Sequence, residues 1–93
     1  MQYNITFSDD AEDDMLSAYI WYEQQKEGLG DEFNNAVKKA ASSIQANPLF
    51  YSFRMEKIRG CSTKRFPYLL LFFVDGNHIR VISVLHTSKE PKI

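Results

Sequence analysis

Seven apolar residues follow one another from Tyr68 to Val74, inside the stretch "RFPYLLLFFVDG" at residues 65–76. In an extended strand, alternate side chains point to opposite faces. Tyr68, Leu70, Phe72 and Val74 therefore form one row, and Leu69, Leu71 and Phe73 the other. Both rows need cover from water. A chain of 93 residues makes one domain, taken as residues 1–93, and such a domain buries roughly two thirds of its unfolded surface. A fold this small covers one sheet face with helices more readily than two, so the second face needs its own explanation.

The flanking segments supply the helices. "YNITF" (Tyr3 to Phe7) alternates in the manner of a half-buried strand. Ser8 or Asp9 can then cap a helix, with Asp9 and Glu12 forming a D-x-x-E capping pair and further acids favoured by the helix dipole. Ala11, Met15, Ala18, Tyr19 and Tyr22 recur at helical spacing, and Gly28 and Gly30 mark a tight turn. In a second helix, Leu29, Phe33, Ala36, Val37, Ala40 and Ile44 share a face, and Asn47-Pro48 ends it. Tyr51 to Arg59 reads as a short strand, and Tyr68–Val74 and His78–His86 as a hairpin joined through Asp-Gly-Asn. The expected fold is α+β, in the order β-α-α-β-β-β, with a helical hairpin packed on one face of a mostly antiparallel sheet.

A two-residue turn at Gly76-Asn77 sets Asp75 opposite His78. Leu69, Leu71 and Phe73 would then share a face with Arg80, Ile82, Val84 and His86. With Lys64 nearby, that face reads as a binding surface for an apolar, partly anionic guest. The alternative is that sheet curvature and the segment 47–64 bury it unaided.

Charge is divided along the chain. Residues 1–36 hold nine acids against Lys26, a net of −8, whereas residues 37–93 hold ten bases against three acids, a net of +7. This points to an anionic partner for the second half, or to two halves that attract each other. The acids from Asp9 to Asp14 lie where a signal peptide needs a basic start and an apolar run, and the single Cys61 fits a reducing compartment; a cytoplasmic location is expected. No run approaches the ~20 apolar residues of a membrane span. Two histidines and a lone cysteine give no metal or cofactor signature.

"YIWYEQQKEGLGDEF", "IQANP" and "RFPYLLLFFVDGNHIRVISVLH" follow one another in an order that resembles the RelE/ParE superfamily of bacterial toxins. The resemblance implies a plasmid-stabilisation type of toxin held inactive by a cognate antitoxin, which wraps it with a helix and an extended segment. It also implies one of two activities. ParE-like members inhibit DNA gyrase through a contact surface. RelE-like members cut messenger RNA on the ribosome, which requires a proton acceptor, a proton donor and cations at the phosphate.

Nuclease members commonly carry an arginine after the aromatic residue of "RFPY", where this chain has Leu69. His86 is the general acid–base candidate, and Arg59, Arg65 and Lys64 are the cations that can accompany it. Arg80 lies six residues from His86, ~20 Å along an extended strand. The leading expectation is therefore a contact toxin acting on gyrase. The alternatives are a ribosome-dependent endoribonuclease and an inactive relative that only binds the antitoxin. A second copy of the chain is a further candidate partner.

Overall fold

The structure, a computed structural model, describes residues 2–89. Of the domain assigned to residues 1–93, residues 1 and 90–93 lie outside the described residues. The elements are β1 (Asn4–Phe7), α1 (Asp9–Gln25), α2 (Leu29–Ala46), a 3-10 turn (Pro48–Phe50), β2 (Phe53–Met55), β3 (Ile58–Ser62), β4 (Tyr68–Asp75) and β5 (His78–His86), followed by a second 3-10 turn at Thr87–Lys89. One sheet carries the strands in the order β1-β5-β4-β3-β2, with β1 parallel to β5 and every other pair antiparallel. The segment read as one short strand divides into β2 and β3, which turn back on each other around Glu56 and Lys57.

Ser8 caps α1, its hydroxyl accepting from the Ala11 amide at 3.1 Å. Asp9 is already helical, so the Asp9–Glu12 capping pair does not form. The start of α2 is held differently. Its N-cap, Gly28, sits at φ 87° and has no side chain to offer. The carboxylate of Glu23 supplies the missing acceptors, taking the Gly28 amide on one oxygen and the Gly30 amide on the other, both at 2.9 Å. One side chain therefore ties the end of α1 to the start of α2 and satisfies amides that a helix start otherwise leaves unpaired.

The hairpin packs on the sheet face that carries Leu70, Phe72, Ile79 and Val81, all 0 % exposed, as are Phe33, Val37 and Ile44 of α2. Four rings lock the joint. Phe33 meets Tyr68 at 4.8 Å, Tyr22 at 5.4 Å and Phe66 at 5.7 Å between centroids.

The Gly76-Asn77 turn forms as expected and Asp75 opposes His78. Beyond it the register slips, because Phe72 pairs with Val81 but Leu71 pairs with Ser83, leaving Ile82 as an extra residue in β5. Such a bulge exchanges the faces of every residue that follows. Val84 therefore joins the core under the helices, and His86 lies opposite Tyr68 instead of beside Leu69. The face assignment read from the sequence holds for Arg80 and fails for Val84 and His86.

The second face is largely closed by the chain itself. Leu69 is 3 % and Leu71 6 % exposed. Gly60 of β3 lies opposite Leu71, and a side chain there would collide with the Arg54 stem at 2.9 Å and a Leu69 methyl at 3.1 Å. The glycine lets an arginine stem from β2 fold across this flank, an aliphatic cover with its charge left at the edge. Among the described residues no open apolar slot lies over Leu69 and Leu71, because Arg54 from the segment 47–64 covers that flank. Phe73, Arg80 and Ile82 remain half-buried there.

Candidate functional site: a groove beside the second helix

Helix α2 presents Ala36, Ala40 and Ser43 on the side that faces Cys61 and Ser62 of β3. A groove of about 960 Å³ is left between them. Ala36, Ala40, Tyr51, Cys61 and Phe66 supply its apolar lining, and Lys38, Lys39, Lys64 and Arg65 line it with one acid, Glu32. Arg65 reaches across to Glu32 at 2.6 Å, but both side chains are well exposed, so this pair adds little to stability. Arg65 also holds φ 76°, the left-handed region that a side chain rarely occupies, in the loop that presents Lys64. Burial pushes the Cys61 thiol up, which keeps it protonated at neutral pH and makes it a poor nucleophile. Burial likewise raises Tyr51.

The groove continues onto an apolar edge. Phe50 is 74 % exposed, and Leu49, Phe53 and Met55 are also exposed. Phe50 abuts Tyr51 edge-to-face at 5.3 Å, which links this strip to the groove. Strand β2 closes the sheet order on that side, so its outer backbone groups face no neighbouring strand. Sequence reasoning missed the strip because its spacing is irregular. The available signal was four large apolar residues in "LFYSFRM" with no periodicity to bury them.

The candidate catalytic residues do not meet. The Arg59 guanidinium donates to the Tyr51 carbonyl at 2.7 Å and lies 4.0 Å from the Phe53 ring centre, so it staples β3 to the segment before β2. In the sheet register Arg59 sits at the level of Phe72, whereas His86 sits at the level of Tyr68 two strands away, a backbone separation of about 16 Å. Arg65 is engaged with Glu32. The His86 ring shares a hydrogen bond with the Ser88 hydroxyl at 2.9 Å and packs edge-on to Tyr68. Arg80 donates to the Thr6 hydroxyl at 3.1 Å, tying β5 to β1. Of the expected contact residues, Lys64 lines the groove; Leu69, Leu71 and Val84 are buried, and Phe73, Arg80 and Ile82 lie on the opposite flank. Among the described residues no cluster of three metal-ligating side chains occurs, and no helix is long and apolar enough to cross a membrane.

A helical hairpin over a mixed five-stranded sheet defines a small α+β domain of a known kind. The fold matches a solved structure described as the chromosomal ParDE TA system from P. aeruginosa, with a TM-score of 0.81 and 13% sequence identity, covering 91% of this chain and 96% of that one. No curated protein matches the chain. The model of the family "ParE toxin of type II toxin-antitoxin system, parDE" matches residues 5–91, and the chain belongs to this family. It is a ParE-type toxin of a type II toxin–antitoxin system, and that membership implies an antitoxin partner.

Proposed function

We propose that the protein arrests growth in the cytoplasm by contact with DNA gyrase, and that a cognate antitoxin neutralises it by occupying the groove between α2 and β3. The observation that carries the antitoxin part is the groove itself, with its apolar floor, its cationic rim of Lys38, Lys39, Lys64 and Arg65, and the exposed strip running from it to the edge of β2. An amphipathic helix with acidic flanks fits the groove. An extended segment fits the open β2 edge, where backbone hydrogen bonds supply affinity and the apolar strip supplies contact area. Support for a contact mechanism comes from the dispersal of Arg59, Arg65 and His86, each already engaged in a structural interaction. Cleaving a phosphodiester needs such groups together at one phosphate.

Expression without the antitoxin, followed for both chromosomal breaks and transcript integrity, tests the activity. The expected result is growth arrest with gyrase-linked DNA breaks and intact messages. Cuts at codon sites in translated messages with intact DNA would replace this mechanism by ribosome-dependent cleavage. Absence of any growth phenotype would leave an antitoxin-binding protein without a gyrase target. Co-expression of a cognate antitoxin is expected to restore growth, and Lys64→Glu with Lys38→Glu to reduce that rescue.

A further inference from the structure

A second cavity, of about 370 Å³, lies on the other side of α1, at the ends of β4 and β5. Its walls are aromatic: Trp21, Tyr22, Tyr68 and His86 follow one another at 5.1, 6.2 and 5.0 Å between ring centres. Trp21 is 52 % exposed, a costly placement for the chain's one tryptophan unless something packs on it. Asp14 lines the same cavity. One of its oxygens, Oδ2, accepts the Val84 amide at 2.9 Å and the Ser83 hydroxyl at 3.2 Å, which fixes the carboxylate in place. Among the described residues the other oxygen, Oδ1, accepts no hydrogen bond, and neither a lysine nor an arginine lines the cavity. The first turns of α1 add Asp9, Asp10, Glu12 and Asp13, none with an ion-pair partner among the described residues.

We infer that this cavity receives the guanidinium of an arginine presented by a protein partner. Ring faces are negative and attract a cation, and a fixed carboxylate oxygen at the end of the cavity accepts its N–H groups. Arginine fits better than lysine because its planar, weakly hydrated head can lie along Trp21 while its N–H fork reaches Oδ1. The site is set apart from the α2–β3 groove and has the opposite charge. Its occupancy therefore stands or falls independently of the antitoxin and gyrase assignments.

The probe is N-acetyl-arginine amide, titrated into the intact protein while the Trp21 indole N–H and the His86 ring protons are followed by NMR. A saturable shift of both is expected in the millimolar range. N-acetyl-citrulline amide, of the same shape but neutral, is expected to give none up to about 50 mM. Asp14→Asn, which retains an acceptor for Val84 and Ser83, should weaken binding about fivefold or more. Ser17→Lys, an exposed change at the cavity wall that tethers a cation there, should abolish it without touching the core. No saturable shift with the arginine probe, equal binding of the citrulline probe, or unaltered affinity in a folded Ser17→Lys variant would overturn the inference.

Discussion

Phe33→Ala should cost the protein about 4 kcal/mol, read as a fall in the urea midpoint with an unchanged slope. The ring is 0 % exposed and stands at the centre of contacts with Tyr22, Phe66 and Tyr68. Those partners come from α1, the loop before β4, and β4, so truncation opens a cavity where three elements meet. Backbone at such a joint cannot collapse far, which places the loss in the upper part of the usual range for a buried phenylalanine. Against a total of about 5–15 kcal/mol, the variant should remain folded but be marginal at growth temperature. Phe33→Leu keeps most of the volume and should cost about 1–1.5 kcal/mol. Since Phe66 neighbours Lys64 and Arg65, the alanine variant should also bind antitoxin less tightly. A loss below about 2 kcal/mol would mean that the ring cluster is not packed as described.

Gly30→Val should be nearly as damaging, at about 3 kcal/mol, for an unrelated reason. A Cβ at residue 30 would lie 2.7 Å from Cδ1 of Tyr19 and 2.8 Å from the Tyr19 carbonyl oxygen. The ring can turn aside, but the carbonyl belongs to the α1 backbone, so the two helices must separate. That separation stretches both bonds from Glu23 that join them. Gly28 provides the control. It has φ 87°, and nothing lies within 4 Å of the place a methyl group would take, so Gly28→Ala meets only the backbone penalty of about 1–2 kcal/mol for a left-handed residue. Thermal melts of Gly28→Ala, Gly30→Ala and Gly30→Val side by side separate the two causes. If Gly30→Val is no worse than Gly28→Ala, the helices are not in the contact described.

Much of the fold could be read from the chain, because its strongest signals are local. Gly28 marks the turn between helices while Gly30 falls inside α2, Asn47-Pro48 ends α2, and Asp75 to His78 form the hairpin turn with the expected opposition. Periodicity placed Phe33, Val37 and Ile44 in the core, where they are fully buried. The bulge at Ile82 was not legible, since nothing in "RVISVLH" distinguishes an extra residue from a paired one. That single residue moves Val84 and His86 to the helix side and takes two of seven residues from the expected binding face. The seal over Leu69 and Leu71 depends on Gly60 and an arginine stem from a strand of three residues, a tertiary arrangement without a sequence period. Lys64 lines a groove on the helix side of the sheet, beside Ala36 and Ala40, and not the flank over Leu69 and Leu71; small residues in a helix usually signal close packing, so the groove has no sequence signature.

Hydrogen exchange on the toxin alone and in complex with its antitoxin tests most directly where the partner sits. Occupation of the gap beside α2 and the edge of β2 predicts slowed exchange in residues 52–56 and 62–66, with little change around Phe73, Arg80 and Ile82. Protection confined to those last three residues and their neighbours, with 52–56 and 62–66 exchanging as in the free protein, would contradict it.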